Sequence, residues 1–192
     1  MTDRLRVLAL SPMPEEGAGC RFRISQYVPY LRDAEFDVTV SSFSTPEYFR
    51  TLYEKGHYLS KAAGFVPLLQ KRWHEVSDVS HYDVVFLYRE AVPLGPPVLE
   101  ERLADSGVPI VYDFDDAIFL ANVSEANRAV SFLKNPDRVK TILRRSTHVT
   151  VGNDYLAEYA RRFNPAVTVI PTAVDTARWI PRANRPRGDD RK

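Results

Sequence analysis

The chain has 192 residues, 44% hydrophobic and 27% charged, with a formal net charge of +1 at pH 7. This fits one globular domain with a sizeable core, and the near balance of charge argues against nucleic acid or an acidic polymer as partner. The single cysteine, Cys20, excludes an intrachain disulfide and any multi-cysteine metal site, and the apolar run near the amino end is too short for a signal h-region or a membrane span, so a soluble cytoplasmic protein is expected.

Six short apolar runs alternate with longer segments of helical period: LRVLAL (5–10), DVTVSSF (37–43), DVVFLY (83–88), PIVYDF (109–114), HVTVG (148–152) and VTVIP (167–171). Their β-branched, nearly continuous hydrophobicity suits strands covered on both faces. The expected fold class is α/β, a single Rossmann-like, doubly wound, mostly parallel sheet flanked by helices. In such a sheet, ligands bind beyond the carboxyl ends of the strands.

After the first run comes SPMPEEGAGCRFR. Gly17 and Gly19 can bring backbone N–H groups close to an anion, and Arg21 and Arg23 add charge, which together read as a phosphate cradle. The spacing lacks the G-x-G-x-x-G of a dinucleotide fingerprint, so a flexible turn is the competing reading.

Between Phe49 and Val76, the residues Phe49, Leu52, Tyr53, Leu59, Ala63, Val66, Leu69 and Trp73 mostly recur at three- and four-residue spacing, with Lys55, Lys61, Lys71 and Arg72 among them. The first expectation is a core-facing helix pair with a solvated basic side. The alternative is a surface that touches an anionic membrane or a lipid-linked acceptor. Gly56 and the stretch Gly64-Phe-Val-Pro67 are expected to break the segment into pieces.

After the third run stand Arg89 and Glu90, either an ion pair or site residues. After the fourth comes YDFDDAIF, with Asp113, Asp115 and Asp116 within four positions. Side chains alternate along a strand, so Asp113 and Asp115 share a face if the strand persists. Four readings stay open. One is an aspartyl-nucleophile phosphatase motif, which normally lies on a first strand and needs a second acidic pair, here offered only by Asp189 and Asp190. Another is a D-x-D magnesium site for a nucleotide diphosphate. A third has the aspartates capping the following turn. In the last, the carboxylates accept hydrogen bonds from sugar hydroxyls in a cleft without a metal.

Asn153 and Asp154 can cap a helix over Tyr155 to Phe163, stopped by Asn164-Pro165. The closing PRANRPRGDDRK is too polar to pack and reads as a linker or tail.

Taken together, GAGCRFRISQYVPYLRDAEFDVTV, VVFLYREA, VPIVYDFDDAIF and VTVGNDYLAEYARRFNPAVTVIPTAVDTARW resemble the amino-terminal domain of glycosyltransferase family four, whose members face two Rossmann-like domains across a cleft in the B-type glycosyltransferase fold. The resemblance implies a domain over residues 1–179 and a linker over 180–192, with the donor-binding second domain absent. It implies an acceptor-side domain of a retaining enzyme that moves a sugar from a nucleotide-sugar to a sugar or lipid-linked acceptor and is inactive alone. The alternative is a non-catalytic half that pairs with a separate donor-binding subunit.

By the same resemblance, Gly17, Gly19, Arg21 and Arg23 lie near the donor phosphates, with Arg89, Glu90 and Asp113 as further substrate-binding candidates. Asp115 and Asp116 are the candidate catalytic carboxylates. No metal or cofactor beyond the nucleotide-sugar co-substrate is implied, and the expected partners are donor, acceptor and the carboxyl-terminal domain in cis or trans. A peripheral contact at the inner face of the membrane is a further expectation, and nucleic acid is not. Two positions depart from the family pattern: Thr172-Ala173 stands where Asn-Gly is frequent, and the fourth strand ends in aspartates where some members place a histidine. His148 is expected to be structural.

Overall fold

The computed structural model describes residues 4–52, 54, 56–120 and 137–176. Tyr53, Lys55, Trp179, the 180–192 tail, and with it Asp189 and Asp190, lie outside the described residues.

All six apolar runs form strands: β1 (Leu5–Ser11), β2 (Phe36–Ser42), β3 (Val84–Tyr88), β4 (Ile110–Phe114), β5 (His148–Val151) and β6 (Val167–Val169). They make one parallel sheet in the order β2-β1-β3-β4-β5-β6. The chain steps from β1 to β2 in one direction and from β3 onward in the other. This reversal leaves a crevice above the carboxyl ends of β1 and β3.

Alternation along the strands sends side chains to two helical layers. On one face, Cys20 of α1 (Ala18–Arg23) and Val28 of α2 (Val28–Asp33) pack with Ile24 against Ala9, Val38 and Tyr88. The other face is covered by α3 (Pro46–Thr51), α4 (Tyr58–Ser77), α5 (Val98–Asp105), α6 (Asp137–Arg145) and α7 (Asp154–Arg161). There Leu68, Val76, Leu99, Leu103, Ile142, Leu143 and Leu156 bury Leu8, Leu10, Leu87, Tyr112 and Phe114. The predicted cap of α7 forms, the Asn153 carboxamide accepting from Leu156 N at 3.0 Å. Asn164 then holds the turn after α7 by donating to the carbonyls of Leu143 and Ser146.

The segment from Phe49 to Val76 differs from expectation in two ways. It breaks at Gly56, whose φ of +81° a side chain rarely adopts, but α4 runs on through Gly64 and Pro67. Gly64 serves packing, since a β-carbon there would come within 2.9 Å of the Tyr48 ring, and Tyr48 also donates to Lys61 O at 2.9 Å. Pro67 and Ala63 are both exposed, so water can reach the carbonyl that Pro67 leaves without its helical donor.

The second difference is rotational. Leu59, Val66, Leu69 and Trp73 are 89, 53, 37 and 44% exposed rather than buried in the core. The buried edge is Leu68, Arg72 and Val76, spaced by four residues. Arg72 sets this rotation: its Nη2 donates to Ser11 O and Ser41 O, both at 3.1 Å, joining the ends of β1 and β2. Its Nη1 stands 3.2 Å from Glu75 Oε2, and burial lowers its pKa to about 10, so it stays charged at neutral pH.

Candidate functional site

A cleft of ≈ 480 Å³ opens at the strand-order reversal, lined by Gly17, Gly19, Tyr88, Arg89, Asp115 and Asp116, with Met13, Phe22, Phe49 and Thr172 among its other walls. Five of the nine sequence-predicted site residues therefore line one place, carried by three strand ends: Gly17 and Gly19 after β1, Arg89 after β3, and Asp115 and Asp116 after β4. The remaining four, Arg21, Arg23, Glu90 and Asp113, do not line it.

The loop after β1 enters α1 at Gly17, an extended residue that no side chain caps. Gly19 is required by close approach: a β-carbon there would lie 2.1 Å from the Tyr88 hydroxyl oxygen. Tyr88 is 1% exposed and cannot swing aside. Its phenol donates to Asp115 Oδ1 at 2.8 Å. Burial, and then the charge of Asp115, pushes the phenol far above its ordinary pKa, so it remains a donor.

Asp115 is held from the other side as well, because a β-carbon on Gly152 would come within 3.2 Å of Asp115 Cα. Its neighbour Asp116 is open to solvent, with a 70% exposed side chain and Oδ2 3.6 Å from Arg89 Nη1. Among the described residues, neither carboxylate accepts a hydrogen bond from the backbone of the following turn, so the capping reading has no support there.

Arg89 adopts φ of +59°, the left-handed region that costs a side-chain-bearing residue about 1 kcal/mol. Its backbone N–H donates to Asp113 O at 2.8 Å, which ties the bend after β3 to β4. The side chain is 24% exposed, and its Nε is buried with no partner among the described residues. Burial lowers the guanidinium's pKa, but Glu90 and then Tyr88, Asp116 and Asp115 more than offset this and hold it above its ordinary value.

Arg23 and Asp113 are not exposed site residues: they are 6 and 0% exposed and bound to each other. Arg23 Nε donates to Asp113 Oδ2 at 2.8 Å, Nη2 pairs with Oδ1, and Nη1 reaches Ile170 O at 2.7 Å. Thr150 Oγ1 completes the set on Asp113 Oδ1 at 2.5 Å. Burial pushes the Asp113 carboxyl up while Arg23 and Thr150 pull it back. Burial also lowers Arg23, but the Asp113 hydrogen bond and charge outweigh it. The pair clasps α1, β4, β5 and the segment after β6, beneath the cleft.

Asp113 and Asp115 both address the α1 side of the sheet, as alternation predicts, yet β4 ends at Phe114 between them. Asp113 is spent on Arg23, so the D-x-D pair does not converge on one point, and among the described residues no three His, Cys, Asp or Glu side chains form a metal site. Arg21 lies over the Phe22 ring at 5.1 Å and does not line the cleft. Glu90 sits on the far side of the sheet. Burial raises its pKa against the pull of Arg89 and Arg138, and Glu100 and Arg138 pair beside it. Its expected ion pair with Arg89 gives way to the Arg89–Asp116 contact. His148 is structural, Nε2 sharing a hydrogen bond with Thr168 Oγ1 at 2.9 Å.

Tyr88 and Gly152 are the site residues that the sequence left unmarked. A glycine directly after the fifth apolar run was the available signal for Gly152. For Tyr88 nothing local was available, since its partner lies 27 residues away.

No protein-family model and no curated protein matches the chain. Among solved structures, the fold is similar to an alpha-glucosyltransferase in complex with UDP and a 13-mer DNA containing a central A:G mismatch, at 14% sequence identity and a TM-score of 0.48. The match covers 91% of this chain but 42% of that one, so the chain spans less than half the length of that relative.

Proposed function

We propose that this domain forms the acceptor-side wall of a retaining glycosyltransferase, which moves a sugar from a nucleotide-sugar to a sugar or lipid-linked acceptor. In this reading the donor is gripped by a second domain, in cis or as a separate subunit. The observation that supports it most is the content of the cleft. A glycine-lined backbone, one cation (Arg89) and three carboxylates (Glu16, Asp115 and Asp116) line the cleft at the carboxyl ends of β1, β3 and β4.

Those parts match the charges of glycosyl transfer. As the bond to the nucleotide diphosphate breaks, negative charge grows on the leaving phosphate and the sugar gains oxocarbenium character. Arg89 and the backbone at Gly17 and Gly19 suit the first charge, and a carboxylate held by Tyr88 suits the second or orients the acceptor hydroxyl. Closure of a facing domain over the cleft would exclude water.

The test is an amide-resolved NMR titration of the 192-residue chain with a panel of nucleotide-sugars and with free hexoses. Weak binding, no tighter than about millimolar, with shifts at Gly17, Gly19, Arg89, Asp115 and Asp116, is the expected result. Sub-millimolar binding to a nucleotide-sugar alone overturns the one-wall assignment. Silence at those amides with both ligand classes overturns the site.

A further inference from the structure

We propose that the acceptor served by this cleft is an amino sugar, and that Glu16 and Asp115 recognise its ammonium group. The inference rests on the acceptor-side reading above and adds to it the sign of the ligand's charge. Glu16 stands in the loop after β1 and Asp115 just past β4, so the fold brings two acidic side chains that are far apart in sequence onto one cleft.

Taking the charges around the cleft in turn leaves these two without a counter-ion. Arg89, the cation among the lining residues, faces Asp116 at 3.6 Å. Beneath the cleft, Arg23 is spent on Asp113 and on Ile170 O. Arg21 lies over the Phe22 ring and does not line the cleft. Asp115 accepts a hydrogen bond from the Tyr88 phenol, a neutral donor, so its charge is held in place without being neutralised. Among the described residues neither Glu16 nor Asp115 forms a salt bridge. A concave site lined by an excess of one charge concentrates ligands of the other.

The rest of the lining supplies the remaining chemistry. Carboxylates accept hydrogen bonds and do not donate them, which suits an ammonium group with its three N–H donors and the hydroxyls of a sugar ring. Met13, Phe22 and Phe49 offer apolar wall to the C–H faces of such a ring, and ≈ 480 Å³ is the size of a small-molecule site. Among the described residues no three His, Cys, Asp or Glu side chains gather as a metal site, so the matching positive charge is assigned to an organic ligand. A lipid pyrophosphate would bring its own negative charge against Glu16 and Asp115, which favours the sugar class of acceptor over the lipid-linked one.

Amide-resolved NMR titration of the 192-residue chain tests this at about pH 6.5, where a sugar amine is protonated. The ligands are glucosamine, the neutral sugars glucose and N-acetylglucosamine, and ethanolamine, which has the charge without the ring. We expect shifts at Gly17, Gly19 and Asp115, with glucosamine bound about five- to tenfold more tightly than either neutral sugar by a margin that added salt reduces. Ethanolamine should bind more weakly than glucosamine. Glu16→Gln, at an exposed position, should narrow the glucosamine-to-glucose ratio to about threefold or less with urea unfolding unchanged, and Glu16→Lys should remove it. Equal binding of glucosamine and the neutral sugars, equal binding of ethanolamine, or a full preference in Glu16→Gln overturns the amino-sugar assignment and leaves the site standing. Silence of those amides with all four ligands overturns the site reading and this inference together.

Discussion

Tyr88 and Asp115 are joined by a 2.8 Å hydrogen bond whose donor ring fills the space that a β-carbon on Gly19 would need. Three strand ends are thereby coupled: the glycine loop after β1, the tyrosine closing β3 and the carboxylate just past β4. Gly19→Ala should cost about 1–3 kcal/mol, because the ring is buried and overpacking has no outlet. Tyr88→Phe, which removes only the hydroxyl, should cost about 1 kcal/mol. Urea unfolding of both variants checks the pair. Equal stability of Gly19→Ala and the parent would mean that Tyr88 can move.

Asp113 and Asp116, three residues apart, should respond oppositely to the same change. Asp113→Asn leaves Arg23 buried beside a neutral amide, and breaking a buried pair in this way costs about 3–5 kcal/mol. Asp116→Asn touches a 70% exposed side chain and should change stability by less than about 0.5 kcal/mol. Thermal or urea unfolding separates the two outcomes. A small effect at Asp113 would return it to the list of ligand contacts.

The contrast shows which parts of the fold and site were legible in sequence. All six strands were readable because a parallel sheet buries both faces, so its strands are short β-branched runs. The Asn153 cap was readable because capping is local. The fate of each carboxylate was not, since YDFDDAIF is silent on the Arg23 guanidinium 90 residues away. The rotation of α4 was likewise hidden. Counting apolar residues favoured Leu59, Val66 and Trp73 as the core edge, whereas two strand-end carbonyls 30 residues apart required Arg72 there.

Glu90 makes a prediction in pH. Burial raises its folded-state pKa above the ordinary carboxylate value, so between the two values the folded protein holds a proton that the unfolded chain has lost. Stability attributable to Glu90 is therefore fully present below the unfolded pKa and declines as pH rises towards the folded one. Glu90→Gln lacks this titration. Unfolding free energies measured from pH 4 to pH 8 should show the variant gaining relative to the parent as pH rises. A flat difference would mean that Arg89 and Arg138 fully offset the burial.

Arg89 separates stability from ligand response. Its φ of +59° stores backbone strain, which Arg89→Gly releases by about 1 kcal/mol. The same change removes the packing of a stem that is 24% exposed, so the two effects nearly cancel and stability should move by less than about 1 kcal/mol. The cleft, however, loses the cation that lines it beside Gly17 and Gly19. Because a charge-assisted hydrogen bond contributes about 1.5–3 kcal/mol, the apparent affinity for pyrophosphate, followed at the Gly17 and Gly19 amides, should fall about tenfold or more. Retained pyrophosphate response together with a large stability loss would instead make Arg89 a structural clamp between β3 and β4.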